Sequence, residues 1–327
     1  MAIGDLITAT RFNTLRSRID AIHGVGSGQT GYGQALESAT VATNEIVSAD
    51  DMSKLFTDIV RARTHQTGVV PTAIGDIAIG DIVGEFAGAV GATDSSDATT
   101  KLTQGYSDYE SMATIVENNA DVVDSSQLSL EPAITSQRTT AWNGSVVHIF
   151  TVTFQAQTLT NASGVQTNLT AADHARAFFN AGGEIWLEAS RTGGSSTQKN
   201  TDWSTILSNA GTIKFGKLDT TSTGTAQTSN VGFFDLTTSY QQLSTKTGSQ
   251  AEYVENDYTI SALRNSTSDR ITFRVEFNDD DTGDQTGIGP AVDEDVDGTL
   301  TSTIRQNRPS GSNVNVIAPL FANTSNL

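Results

Sequence analysis

His174–Lys217 reads HARAFFNAGGEIWLEASRTGGSSTQKNTDWSTILSNAGTIKFGK, and its change of period decides the fold. Residues 171–180 carry Ala177, Phe178 and Phe179 on one side, which predicts a short amphipathic helix, and Gly182 stands where a left-handed stop is wanted. In Glu184–Arg191 the apolar Ile185, Leu187 and Ala189 alternate with Glu184, Trp186 and Glu188, the period-two pattern of a strand with one buried face. Trp186 falls on the other face. After the polar turn at 193–200, Trp203, Ile206 and Leu207 predict one more helical turn, and Ile213, Phe215 and Leu218 begin another strand.

The same alternation recurs downstream. Val146–Phe154 (VVHIFTVTF) is apolar on both sides, as a largely buried strand is. In Arg270–Phe277 the residues Ile271, Phe273, Val275 and Phe277 face one way and Arg270, Thr272, Arg274 and Glu276 the other. Further strands are expected at 231–236, 239–246, 252–263, 299–306 and 313–318, each flanked by Gly, Asn, Asp or Ser. Many short strands without regularly alternating long helices imply an antiparallel β-sandwich or jelly-roll-like domain over 140–327.

Upstream the period is helical. Phe12, Leu15, Ile19 and Ile22 form one stripe within 8–23, with Thr8 or Thr10 as cap. The pattern returns forty residues on, where Met52, Leu55 and Ile59 align with Phe12, Leu15 and Ile19 and Ser48 with Asp51 makes a capping box. The glycines of GVGSGQTGYGQ between them permit a reversal, so 1–72 is expected to be a helical hairpin. Its stripe could be buried locally, dock on a neighbouring subunit, or serve a helix-turn-helix, although the connection is too long for the last. Residues 73–139 hold the IGDIA/IGDIV repeat, a polar linker at 94–104 and a third helix around Tyr106–Asn118. The fold class expected is therefore α+β overall, mainly β with a helical N-terminal region.

The segments ARAFFNAGGEI, SRTGG, NTDWSTILSNAG and KFG, with FNDDDTGDQTG, EDVDGTLTSTI and RPSGSNVNVIAPLF further on, resemble a family of virion structural proteins of marine tailed bacteriophages, especially those infecting cyanobacteria. The resemblance covers roughly 140–327; the helix before HQTG and the GYSDYES stretch also look similar. It implies a particle component rather than a reaction, since no motif with a chemical role comes with it. The expectation is a non-enzymatic structural component of the virion, made in the host cytoplasm and belonging to the tail, baseplate or fibre apparatus. Its N-terminal helices would anchor it, and its β domain would be displayed. A capsid-decorating head protein and a receptor- or polysaccharide-binding module are the alternatives. Expected partners are other virion proteins, copies of itself as a homo-oligomer such as a trimer, and a host-surface glycan.

Composition bears on the rest. A net charge of −18 and a pI near 4.4 repel phosphate backbones, which argues against nucleic acid as a partner. The absence of cysteine removes disulfides, thiolate zinc sites and cysteine nucleophiles. MAIGDLITATRFN lacks the pattern of a signal peptide, and Asp76, Asp81 and Glu85 interrupt the most apolar window (74–90), so no membrane segment is expected.

No cofactor, catalytic or metal residue is assigned. Gly26, Gly28 and Gly31 fit G-x-G-x-x-G but follow a helix, and GTIKFGK (211–217) has P-loop spacing but Leu218 where Ser or Thr is needed. Asp293, Asp295, Asp297 and Gly298 match half an EF-hand loop, with Ile304 in place of the bidentate Glu. With Asp279, Asp280, Asp281 and Asp284 they could form an irregular Ca²⁺ site, but the preferred reading is solvated acidic loops protecting sheet edges. His23, His65, His148 and His174 show no zinc spacing, and no G-x-S-x-G elbow occurs.

Overall fold

A computed structural model describes residues 7–26, 28–79, 81–84, 93–94, 97–250, 253–280 and 294–324. The chain opens with α1 (Ala9–His23), α2 (Ala49–Thr67), the strands β1 (Ile82–Gly84), β2 (Thr93–Asp94) and β3 (Asp97–Gly105), and α3 (Tyr106–Asn118). Then come β4 (Leu128–Leu130), β5 (Ile134–Arg138), β6 (Ser145–Thr153), the hairpin of β7 (Gln157–Thr160) with β8 (Gln166–Leu169), and α4 (Ala171–Asn180). The remainder is β9 (Glu184–Thr192), α5 (Gln198–Ala210), β10 (Ile213–Phe215), β11 (Thr220–Ser222), β12 (Gln227–Thr228), β13 (Gln241–Thr247), β14 (Asp257–Arg264), β15 (Arg270–Asn278), β16 (Thr299–Pro309) and β17 (Leu320–Asn323). This is a mixed α+β chain, mostly β, with helices at the N-terminal end.

Two compact units share the chain. The first is Met1–Ser129 with Ala156–Gly182 and Pro309–Ile317; the second is Leu130–Gln155, Gly183–Arg308 and Ala318–Leu327. These are not the three consecutive segments expected at 1–72, 73–139 and 140–327. The β7–β8 hairpin, α4 and the stretch at 309–317 fold with the N-terminal helices instead. Asn180 donates to the Thr30 carbonyl at 2.7 Å, and Gln34 donates to the Asn315 carbonyl at 3.2 Å. Such long-range side-chain ties leave no periodicity in the sequence.

In the first unit, Thr8 caps α1, and Ser48 with Asp51 closes the capping box of α2, while α4 begins on an equivalent box of Thr170 and Asp173. Gly182 takes the left-handed conformation at φ 84°, ending α4 as its sequence requires. The stripe Phe12, Leu15, Ile19 and Ile22 is buried within the unit, as are Met52, Leu55 and Ile59. α1 and α2 are not a self-sufficient hairpin, because α3 packs on both, burying Tyr106, Tyr109, Met112 and Val116. The stripe is thus local core rather than a docking face. The stretch at 94–104, expected to be a polar linker, contributes to β2 and β3, which pair with each other. Gly80 of the IGDIA/IGDIV repeat lies outside the described residues.

In the second unit one sheet runs β11-β10-β9-β16, with β5 on the other side of β16, and the second runs β12-β13-β14-β15-β6-β17, with every neighbouring pair antiparallel. The second sheet is a meander from β12 to β15 extended by β6 and β17, so the sandwich and not the jelly roll is the architecture. Ile271, Phe273, Val275 and Phe277 are all buried, opposite Val152, Phe150, His148 and Val146 of β6. The inner faces meet where the Phe215 and Phe273 rings stack edge-to-face at 5.4 Å and His148 Nδ1 lies 2.8 Å from Ser302 Oγ. α5 packs against β9 of one sheet and against β13 and β14 of the other. It is a full helix of 13 residues rather than the single turn expected, because Thr197 caps it and Lys199, Trp203, Ile206 and Ala210 continue its buried stripe. Two expected strands are absent: 231–236 contains a 3₁₀ turn at Phe233–Asp235, and 313–318 is extended chain with one bridge, Ser310 to Asn315. Leu218 lies beyond β10 and is exposed.

Candidate functional site: the polar cluster at the start of α5

Polar side chains converge in the second unit where α5 begins, β15 ends and the chain returns through 294–298. Asp297 is the hub of one half. Its carboxylate accepts from the Ser195 amide at 3.0 Å, Ser195 Oγ at 3.0 Å, Asn200 Nδ2 at 2.5 Å and Arg191 Nη2 at 3.2 Å, while its carbonyl accepts from Arg191 Nε at 2.7 Å. The Ser195 amide, with the Ser195, Asn200 and Arg191 side chains, holds this carboxyl below the usual carboxylate range. Gly298 follows at φ 90°, where a Cβ would lie 2.7 Å from the Thr192 carbonyl oxygen. Asp297 therefore clamps the 193–197 loop onto α5, and of the half EF-hand pattern Asp297 and Gly298 serve this clamp.

The other half is buried. Lys199 Nζ lies 2.9 Å from Asp279 Oδ2, with both side chains at 0% exposure, and it donates to the Glu294 carbonyl at 3.0 Å. One turn along α5, Asp202 is also fully buried. Burial raises its pKa against the opposing effect of the Ser249 and Gln250 amides that face it. Gly248 packs over it, since a Cβ there would come within 3.0 Å of Asp202 Oδ2 and far closer to the Tyr253 carbonyl. The walls are aromatic: Trp203 meets Trp142 edge-on at 5.0 Å and lies 6.2 Å from Phe277, which sits 5.3 Å from Tyr258.

Of the acidic residues singled out in the sequence, Asp279 and Asp297 serve these two halves separately, and Asp295 is exposed. Asp281, Asp284 and Asp293 lie outside the described residues. Among the described residues no three His, Cys, Asp or Glu side chains are grouped to hold a metal ion. The Lys199–Asp279 pair went unnoticed in the sequence, although the pattern contains it. Asp279 continues the inward series Ile271, Phe273, Val275, Phe277, and Lys199 opens the inward stripe of α5.

The remaining sequence candidates are likewise absorbed. β10 occupies 213–215 of the P-loop-like segment. The four histidines are all fully buried; His65 Nε2 is 3.0 Å from the Ala181 carbonyl oxygen and His174 Nε2 is 2.9 Å from that of Ile317. An open groove of about 670 Å³ in the first unit is bordered by Arg16, Asp20, Gly26, Gln34, Glu37 and Asn161. Among the described residues that line it the cation is Arg16, which is engaged by the Ser38 carbonyl at 3.1 Å and by Asp20 at 3.4 Å. On the outer face of the first sheet of the second unit, Lys214, Trp186 and Arg305 stand in one row across β10, β9 and β16. Lys214 Nζ lies 4.3 Å from the Trp186 ring centroid, Trp186 Nε1 donates to Glu184 at 2.8 Å, and Arg305 pairs with Glu188.

No helix among the described residues is long and apolar enough to cross a membrane. Comparison with protein-family models, with curated proteins and with solved structures finds no match to this chain.

Proposed function

We propose that this chain is a non-enzymatic structural component of a tailed-phage virion, belonging to the tail, baseplate or fibre apparatus. One observation carries the reading beyond the sequence resemblance over 140–327. Of the second unit's strongest candidates for chemistry, Trp142, Trp203, Lys199 and Asp279 are buried and engaged with one another or with backbone, and Asp297 is engaged in clamping the loop before α5. A domain whose reactive side chains are spent on packing acts through its surface, as repeated subunits in a symmetric particle do. The stripe of α1 and α2 is internal, so anchoring to other virion proteins or to further copies of the chain would use outer surfaces of the first unit. Gold-labelled antibody against the chain, applied to intact particles and to separated heads and tails, tests the assignment. Label on tails is the expected result, label at capsid lattice points would move the protein to the head, and unlabelled particles would overturn the proposal.

A second reading has its own observation. The Lys214–Trp186–Arg305 row places a half-buried aromatic between two cations on an outer sheet face, which suits an acidic host-surface glycan. Binding of purified protein to an array of acidic and neutral glycans, lost in Trp186→Ala, would favour this reading over a purely architectural one.

A further inference from the structure

We propose that Lys199 and Asp279 condense into an intramolecular amide, an isopeptide bond tying α5 to the end of β15. Lys199 Nζ stands 2.9 Å from Asp279 Oδ2, neither side chain reaches solvent, and both are placed by the periodicity of their elements rather than by mobile loops. Burial narrows the gap between the ionised and the neutral pair, because both charges have been taken out of water. Passing the proton from ammonium to carboxylate leaves a neutral amine beside a neutral acid, which are the reactive forms. Fixed neighbours of this kind react as though present at roughly 10⁵–10⁸ M, so proximity replaces activation by an outside reagent.

The step balances without any other reactant. The Lys199 nitrogen lone pair attacks Asp279 Cγ and the new C–N bond forms. One carboxyl C–O bond breaks, and that oxygen leaves as water, carrying its own proton and one from the amine. The second proton needs a carrier, and Asp202 is assigned that task. It lies three residues after Lys199 and is equally buried, so both side chains project from one face of α5. As the carboxyl on the same helix face as Lys199, it is the group assigned to take up that proton and return it. Glu294 contributes a carbonyl that accepts from Nζ at 3.0 Å and aims the amine. This inference concerns the chain's own maturation and stands whether or not the proposed place in a virion is correct.

Intact mass spectrometry of the purified, folded full-length chain decides it. The expected mass is one water below that of the sequence. Digestion after denaturation is expected to show no tryptic cleavage at Lys199 and a branched peptide joining Lys199 to Asp279. Lys199→Arg and Asp279→Ala are each expected to restore the full mass, and Asp202→Asn to leave folded protein largely uncondensed. A wild-type chain of full sequence mass that is cleaved normally after Lys199 overturns the proposal, with no need for any variant to fold. A water loss that persists in Asp279→Ala overturns it equally, and condensation of Asp202→Asn to the wild-type extent overturns the role given to Asp202.

Discussion

Arg18 grips Glu117 with two parallel hydrogen bonds, Nε to Oε1 at 2.8 Å and Nη2 to Oε2 at 2.7 Å, and seven residues earlier on both helices Arg11 grips Glu110 in the same way. Equal steps in the same direction mean that α1 and α3 run parallel, held in one register by two forks a heptad apart. All four side chains are about a third exposed, so each fork contributes toward the upper end of the surface range, about 1 kcal/mol. Arg18→Ala and Glu117→Ala are each expected to lower stability by about that amount, and the double variant by less than the sum. Urea melts of the four proteins measure the coupling; strict additivity would show that the fork contributes nothing.

Acid is expected to loosen the protein through its histidines. Burial, reinforced by Arg61 and His65, holds His23 well below its usual value, and burial holds His65 and His148 down to about 4. Because these folded-state values lie below the unfolded value near 6.5, the neutral rings contribute full stability above about pH 6.5 and lose it as pH falls toward 4. Each adds a slope of up to about 1.4 kcal/mol per pH unit in that window. Asp58 and Asp202, whose pKa values burial raises, act with the opposite sign and relieve part of the loss as they protonate. His23→Leu is expected to flatten the stability-against-pH curve between pH 6.5 and 4. An unchanged slope in that variant would exclude His23 as a contributor.

The core contact of the sandwich is Phe273, fully buried against Phe215 across the sheets and opposite Phe150 along the β6 register. Phe273→Ala is expected to cost about 3–5 kcal/mol, the range for emptying an aromatic site in a close-packed core, whereas Phe273→Leu should retain more than half of that. Thermal unfolding followed by near-ultraviolet dichroism reads both. A loss under about 1 kcal/mol for the alanine variant would mean that the sheets do not meet there.

Periodicity carried most of this fold in the sequence. The Phe12–Ile22 stripe, the Ser48–Asp51 box, the Ile185–Leu187 alternation and the inward series of β15 all stand where local pattern placed them, because each depends on residues within one helix or one strand. What local pattern could not carry was partnership. Nothing near Asn180 announces the Thr30 carbonyl, and nothing near Gln34 announces Asn315, so the assignment of α4 and 309–317 to the N-terminal unit was illegible. The strand expected at 231–236 failed for a related reason. Its apolar residues Phe233 and Leu236 are buried, but from a 3₁₀ turn whose amides reach back to Gly216 and Lys217. The Lys199–Asp279 pair was half legible: each residue's inward position follows from its element's period, but their meeting depends on how α5 sits on the sheets.

Asp297 supplies the test of the calcium reading. Its carboxylate is filled by the Ser195 amide and hydroxyl, Asn200 and Arg191, and the resulting clamp fixes the loop before α5. Asp297→Ala removes the acceptor for all of them and is expected to lower the melting temperature, read by thermal unfolding. Gly298→Ala should cost at least as much as other left-handed non-glycine positions, about 1–3 kcal/mol, because its φ of 90° and the Thr192 carbonyl at 2.7 Å leave a Cβ no room. Calcium and chelator are both expected to leave the wild-type melting temperature unchanged. A calcium-dependent rise that disappears in Asp297→Ala would mean that this carboxylate exchanges its protein partners for an ion, and the clamp would then be the ion-free state of a binding loop.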